Sequence, residues 1–152
     1  KELKAAYISE FARDYLKEKG LQYTFEDIVN IAIGQQTLET EALKNGAKIM
    51  ICDTDLTVIK IWSEVRFGNT PAVVAARLKA TKFDYFLLCK PDLPWVPDPL
   101  RENPNDRDQL FTQYLTLLKE MNANYTIVKG EGDERETEVL TKVREFLSEL
   151  IL

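Results

Sequence analysis

The sequence predicts an α/β domain in which a parallel sheet is covered by helices on both faces, three layers in all. Three observations lead there. Short apolar runs, "AAYIS", "KIMIC", "FDYFLLC" and "NYTIV", recur along the chain. Stretches with helical spacing lie between one run and the next. Runs this short and continuous suit strands buried on both faces, and parallel strands need crossover connections that helices provide. At 152 residues the chain fits one domain, residues 1–152, with room for a real core.

Taken in order, "AAYIS" (5–9) reads as a strand, and "EFARDYLKEKG" follows as a helix with Gly20 as its stop. "TFED" (24–27) opens the next helix, with Thr24 as cap and Asp27 in the electrostatically favoured first turn. Its apolar positions are Ile28, Ile31, Ala32 and Leu38, and Asn45-Gly46 marks the exit. "KIMIC" is the second strand, and "TDLTVIKIWSEVRFG" turns helical after Asp53. Pro71 suits the first turn of a short helix, "PAVVAARLKA". "FDYFLLC" (83–89) is the third strand. "KPDLPWVPDPLRENPNDRD" then holds most of the prolines and forms the one compositional break. The helix "QLFTQYLTLLKEM", the strand "NYTIV" and the helix "ERETEVLTKVREFLSEL" complete the pattern.

Composition excludes several chemistries. The chain has no histidine, which removes histidine-based triads, and two cysteines are too few to build a zinc site. A metal here should be a hard cation held by carboxylates and phosphate oxygens, which means Mg²⁺. A net charge of -5 argues against nucleic acid as a partner. No apolar run approaches the roughly 20 residues of a membrane span. Cys52 and Cys89 each end a strand-like run and read as small buried hydrophobes in a reducing, cytoplasmic compartment.

Ligands of parallel sheets bind at the carboxyl ends of the strands. Glu10, Asp53 and the start of the proline-rich loop all follow strand ends and should share one rim. "IMICDTD" has the form of a Walker B segment, an apolar strand ending in a carboxylate able to hold Mg²⁺. The plainer reading makes Asp53 the N-cap of the following helix, a role Thr54 or Asp55 would also serve. Glu10 is placed to accept a hydrogen bond from a substrate hydroxyl or to deprotonate it. Arg13, a helical turn later, suits a phosphate or a carboxylate, or a plain surface ion pair. The loop from about 90 to 107 reads as a lid, since loops this long in compact domains are often functional. It places Trp95, Asp98, Arg101 and Arg107 together, and arginines on a cover neutralise charge on a transferring phosphoryl group. Gln35 and Gln36 lie mid-helix and Trp62 in the helix after Asp53. They are candidates for reading an amide edge and stacking on a ring, against the plainer solvated Gln and core Trp.

"ISEFARDYL", "ICDTDLTVIKIW" and "DLPWVPDPLREN", in this order over essentially the whole chain, resemble the kinase domain of NadR-type proteins. Members of that family are P-loop NTPases that use ATP and Mg²⁺ to phosphorylate nicotinamide riboside. The resemblance implies a three-layer P-loop NTPase or nucleoside-kinase-like fold and a small nucleoside as substrate. It implies Asp53 as magnesium ligand, Arg101 and Arg107 as phosphate-contacting lid residues, and Glu10 as a substrate-side residue. Either Glu10 or Asp55 would be the catalytic base. Arg13, Gln35, Trp62, Trp95 and Asp98 are the candidates for the substrate pocket. A non-catalytic nucleotide sensor or an ATPase of the same fold is the alternative. The P-loop pattern G-x-x-x-x-G-K-[ST] is absent from the 152 residues. The expectation is that strand, P-loop and most of a helix, about 20 to 30 residues, precede Lys1.

Overall fold

The computed structural model describes residues 4–20, 22–98 and 105–150. The chain divides into two compact units, residues 1–81 and 82–152. All four expected strands form and pair in parallel, two in each unit.

The first unit runs β1 (Ala6–Ile8), α1 (Phe11–Lys19), α2 (Phe25–Lys44), β2 (Met50–Cys52), α3 (Leu56–Phe67) and α4 (Ala72–Ala80). β1 pairs with β2 in the register Ala6 to Met50, Tyr7 to Ile51 and Ile8 to Cys52. The Asp53 N–H donates to the Ile8 carbonyl at 3.0 Å and carries the ladder one residue past β2. Helix α2 is the spine of this unit and touches every other element in it. Its buried line is Ile28, Ile31, Ala32, Gln35 and Glu39, spaced as one helical face. Against it lie Ala12 and Leu16 of α1, Leu56 and Ile59 of α3, and Val74 and Leu78 of α4, all buried. Leu38, expected on this face, is only half-buried. Two polar residues take the far end of the stripe instead.

Helix starts follow local chemistry. Thr24 and Asp27 form a reciprocal capping box at the start of α2. The Asp27 carboxylate also accepts from the Tyr15 hydroxyl at 2.6 Å and from the Lys19 ammonium, so α1 is tied to the root of α2. With these partners, Lys19 first, the Asp27 carboxyl is held well below the usual carboxylate range. At the start of α3 the cap is Asp55, whose Oδ1 accepts from the backbone N–H of Thr57 at 2.6 Å and Val58 at 3.3 Å. Asp53 therefore does not cap that helix. Pro71 stands at the N-cap position of α4 rather than within its first turn. Gly68 ends α3 in the left-handed region, φ 73°, where a side chain would be strained.

The second unit runs β3 (Phe86–Cys89), α5 (Arg107–Glu120), β4 (Tyr125–Val128) and α6 (Gly132–Glu149). β3 pairs with β4 from Phe86 opposite Tyr125 to Cys89 opposite Val128. Backbone bonds from Phe86 to Asn124 and from Lys90 to Val128, each 2.8 Å, extend the ladder at both ends. Leu88, Leu117, Leu118 and Val128 are its buried apolar residues. Tyr85 stacks on Phe146 at 4.6 Å between ring centres and joins α6 to the sheet. Strand β3 is shorter than the 83–89 run suggested. Cys89 is exposed and Cys52 half-buried, so neither is the fully buried hydrophobe the sequence implied. Among the described residues, no helix is long and apolar enough to cross a membrane.

The capping assignment for α3 has a direct test. Asp55→Ala should lower unfolding free energy by about 1 kcal/mol, whereas Asp55→Asn, which keeps an acceptor, should cost a few tenths. Chemical denaturation of the two variants measures the difference, and equal losses would show that the cap contributes nothing specific.

Candidate active site

Parallel pairing of β1 and β2 brings their carboxyl ends side by side. Ser9 and Glu10 leave β1 where Asp53 leaves β2. The Tyr7 hydroxyl donates to Asp53 Oδ2 at 3.0 Å and so fixes one oxygen of that exposed carboxylate. The hydrogen bond to Asp53, then its charge, and further down the charge of Glu10 all hold the Tyr7 phenol in its protonated form. Glu10 is the residue before α1 and makes no side-chain cap bond there. Its Oε2 lies 3.3 Å from Nε of Arg13.

Gln35 reaches this edge from α2. Its side chain is fully buried. Oε1 accepts from the Phe11 N–H at 2.9 Å, and Nε2 donates to the Ser9 carbonyl at 3.2 Å. The amide therefore grips the backbone on either side of Glu10. Gln36 turns the other way, accepting from Arg77 Nη1 at 2.6 Å and donating to Thr81 Oγ1 at 2.9 Å, and ties α2 to α4.

Beneath the edge lies an acidic group that sequence reasoning passed over. Glu39 is buried, and its Oε1 has no hydrogen-bond partner among the described residues. Burial, reinforced by the negative charge of Asp55, pushes the Glu39 carboxyl up to about 7. Burial likewise raises Asp55, against the opposing pull of its bonds to Thr57 and Val58. The half-buried Cys52 thiol is pushed up to about 12, by its partial burial first and then by the charges of Glu39 and Asp55, and stays a thiol at neutral pH.

Trp62 stands apart from Glu10 and Asp53 in bonding: Nε1 donates to the Tyr23 hydroxyl at 2.8 Å, and the two rings lie 4.8 Å apart. Phe67 and Phe25 continue this aromatic group.

In the second unit, the proline-rich segment leaves the carboxyl end of β3. Asp92 Oδ2 accepts from the Gly130 N–H at 2.8 Å, and Oδ1 from Arg135 Nη1 at 3.1 Å. Those contacts, the Gly130 N–H first, hold the Asp92 carboxyl below its ordinary value. They tie the loop's start to the glycine turn after β4. Arg107 Nη1 donates to the Leu93 carbonyl at 2.8 Å, so the loop's far end is bound to its beginning. Trp95 is partly exposed, and Asp98 is half-buried and engaged in contacts of its own. Arg101 lies outside the described residues.

For a divalent cation, the donor set is sparse. Among the described residues no three His, Cys, Asp or Glu side chains are grouped to hold a metal. Asp53, a carboxylate placed on a strand end, fits the mode in which Mg²⁺ takes one or two protein carboxylates and finds its other oxygens on phosphates and water.

The family described as "AAA domain" matches residues 1–135. The chain belongs to that family. It is similar to the "Trifunctional NAD biosynthesis/regulator protein NadR" of Salmonella typhimurium, with 30% identity over 149 residues, 92% of this chain and 36% of that protein. The protein of the same description from Escherichia coli is 29% identical over the same length and shares. The chain thus spans little more than a third of the curated relatives it matches. Among solved structures, NadR in complex with NAD and AMP-PNP matches with a TM-score of 0.72 at 18% identity, over 95% of this chain and 42% of that one. NadR in complex with NR matches with a TM-score of 0.75 at 17% identity, over 95% and 44%. The fold is that of the NadR P-loop NTPases, an α/β architecture of parallel strands and helices, as the alternation of runs predicted.

The buried acid yields a pH prediction. The folded value of Glu39, about 7, lies above the ordinary 4.5, so protonation favours the folded state. Stability from this group is fully present below about 4.5 and is lost as pH rises through about 7. Glu39→Gln removes that dependence. The variant's Tm relative to wild type should rise from pH 5 to pH 8, and parallel curves would show that Glu39 is not buried as a neutral acid.

Proposed function

We propose that this chain is the catalytic part of a small-molecule kinase that transfers phosphate from ATP to nicotinamide riboside, in NAD biosynthesis. The observation that carries the reading is the placing of Glu10 and Asp53 at adjoining strand ends, with the Asp53 carboxylate held by Tyr7, in a chain of this family. The similarity to NadR proteins and the ligands named for their structures point to the riboside and the nucleotide.

In this mechanism Asp53 helps to hold Mg²⁺, which when bound neutralises charge on the phosphate oxygens. Glu10 orients the riboside hydroxyl and accepts its proton as the hydroxyl oxygen forms its bond to the γ-phosphorus. The bond from γ-phosphorus to the bridging oxygen breaks, and ADP leaves with that electron pair. Glu10 is a better base than Asp55, whose Oδ1 is committed to the α3 cap. Arg13, whose Nε lies beside Glu10 Oε2, is the candidate for the acceptor side. For Arg101, Arg107, Trp95 and Asp98, in the segment of about residues 90–107, the reading keeps the roles the resemblance implies: phosphate contact for the two arginines and substrate contact for the other two. Trp62 and Gln35 serve this reading as supports: one is held by Tyr23, the other by the backbone around Glu10. The pattern of a phosphate-cradling loop, G-x-x-x-x-G-K-[ST], does not occur in the 152 residues.

The test uses protein carrying a P-loop segment ahead of Lys1. ATP consumption should depend on nicotinamide riboside, and mass spectrometry should show the riboside gaining one phosphate. Hydrolysis independent of riboside would favour an ATPase, and nucleotide binding without turnover a sensor. In the same protein, Asp53→Asn should weaken nucleotide binding in Mg²⁺ far more than in EDTA. An unaltered magnesium titration would remove Asp53 from the metal site.

A further inference from the structure

We propose that Gln35 is a positioning residue for catalysis, holding Glu10 in place through the backbone on both sides of it. The inference rests on the reading of Glu10 as the acceptor-binding base. It is carried by three observations. First, the Gln35 amide is fully buried and spends both of its polar atoms on the two residues flanking Glu10, Ser9 and Phe11. Second, the Phe11 N–H is among the helix-start donors that ordinarily need a cap, and Glu10 at the cap position makes no side-chain cap bond. Gln35 satisfies the Phe11 donor from across the unit, and the Glu10 carboxylate stays out of the cap. Third, the neighbouring residue Gly34 lies so close to the Phe11 ring that a Cβ there would sit 2.2 Å from the ring's Cε1. Helix α2 therefore grips the first residue of α1 by contact at 34 and by hydrogen bond at 35.

Only a primary amide of this length meets the demand. A glutamate at 35 would still accept from Phe11 but would turn a carboxylate oxygen toward the Ser9 carbonyl. A methionine fills the same space and makes neither bond. Asparagine is a carbon too short. A buried carbonyl and N–H left unmet at this turn would move the residue between them, and displacements of about 1 Å at a reacting group can cost about 100-fold in rate.

The experiment is a mutant cycle in P-loop-bearing protein, with nicotinamide riboside and ATP as substrates. Gln35→Met should lower kcat/KM for the riboside by about 10- to 100-fold while leaving the KM for ATP unchanged. In a Glu10→Ala background the same substitution should have no further effect, because the residue it positions is gone. Gln35→Glu should fall between wild type and Gln35→Met. If Gln35→Met is unfolded at the assay temperature, the cycle is read with Gln35→Glu. An unchanged kcat/KM, or an equal further loss in the Glu10→Ala background, overturns the proposal while the role of Glu10 stands. A Glu10→Ala variant as active as wild type, or a wild type without riboside-dependent turnover, overturns the reading of the site and this proposal with it.

Discussion

The first unit depends on the parallel pairing of β1 with β2. In an antiparallel pair the two strands would deliver their carboxyl ends to opposite edges, and Glu10 and Asp53 would lie a strand length apart. Parallel pairing in the register Ile8 to Cys52, carried on by the Asp53 N–H to the Ile8 carbonyl, delivers both carboxylates to one edge. The long helix α2 makes that pairing feasible. It spans the connection between the strands and covers one side of them, which is what a parallel pair requires of its crossover. Tyr7 then joins the two strands through their side chains, from the middle of β1 to the end of β2.

Helix α2 contributes more than cover, because its buried stripe ends in Gln35 and Glu39 rather than in apolar residues. Burying a polar group is costly unless its hydrogen bonds are made. Gln35 meets the condition at both atoms, which turns a cost into a specific tie to one backbone turn. Glu39 does not meet it and relieves the cost by holding its proton to about 7. One helix face therefore holds a rigid, satisfied polar contact and a titratable one. Their difference follows from chemistry: an amide carries donor and acceptor together, while a lone carboxylate needs donors that a neighbourhood containing Asp55 does not provide.

Strands, helices and their order were legible in the sequence because each rests on local signals. Apolar runs, Thr24 as cap, Gly20 as stop and the placing of Asp53 after β2 all read directly. The adjacency of Glu10 and Asp53 was legible as well, since the carboxyl-end rule needs only strand direction. What was not legible depends on facing. Gln35 reads as a solvated helix residue until α1 is seen crossing α2 at Phe11, and nothing local marks Glu39 as buried where Leu38 is not. Trp62 could be read as a stacking surface or as a core residue, and nothing local shows that its indole N–H is met by the Tyr23 hydroxyl, 39 residues away in sequence. Nor does anything local show that Arg107 Nη1 holds the loop's own backbone at Leu93.

The two aspartates of "CDTD" show why spacing alone left their roles open. Both follow an apolar strand, both precede a helix, and either has the chemistry of a cap. The choice turns on where helix α3 begins. It begins at Leu56, so the residue just before it, Asp55, turns its Oδ1 onto the exposed N–H groups of Thr57 and Val58. Asp53, still bonded to the β1 ladder through its backbone, is too far up the strand to do so and turns instead to Tyr7 and the open edge. The cap at Asp55 is thus what allows the strand to end in a second carboxylate that is not consumed by the helix. A helix beginning two residues earlier would have put Asp53 at its own N-cap, and that carboxylate would have been spent on the helix start rather than left at the edge beside Glu10.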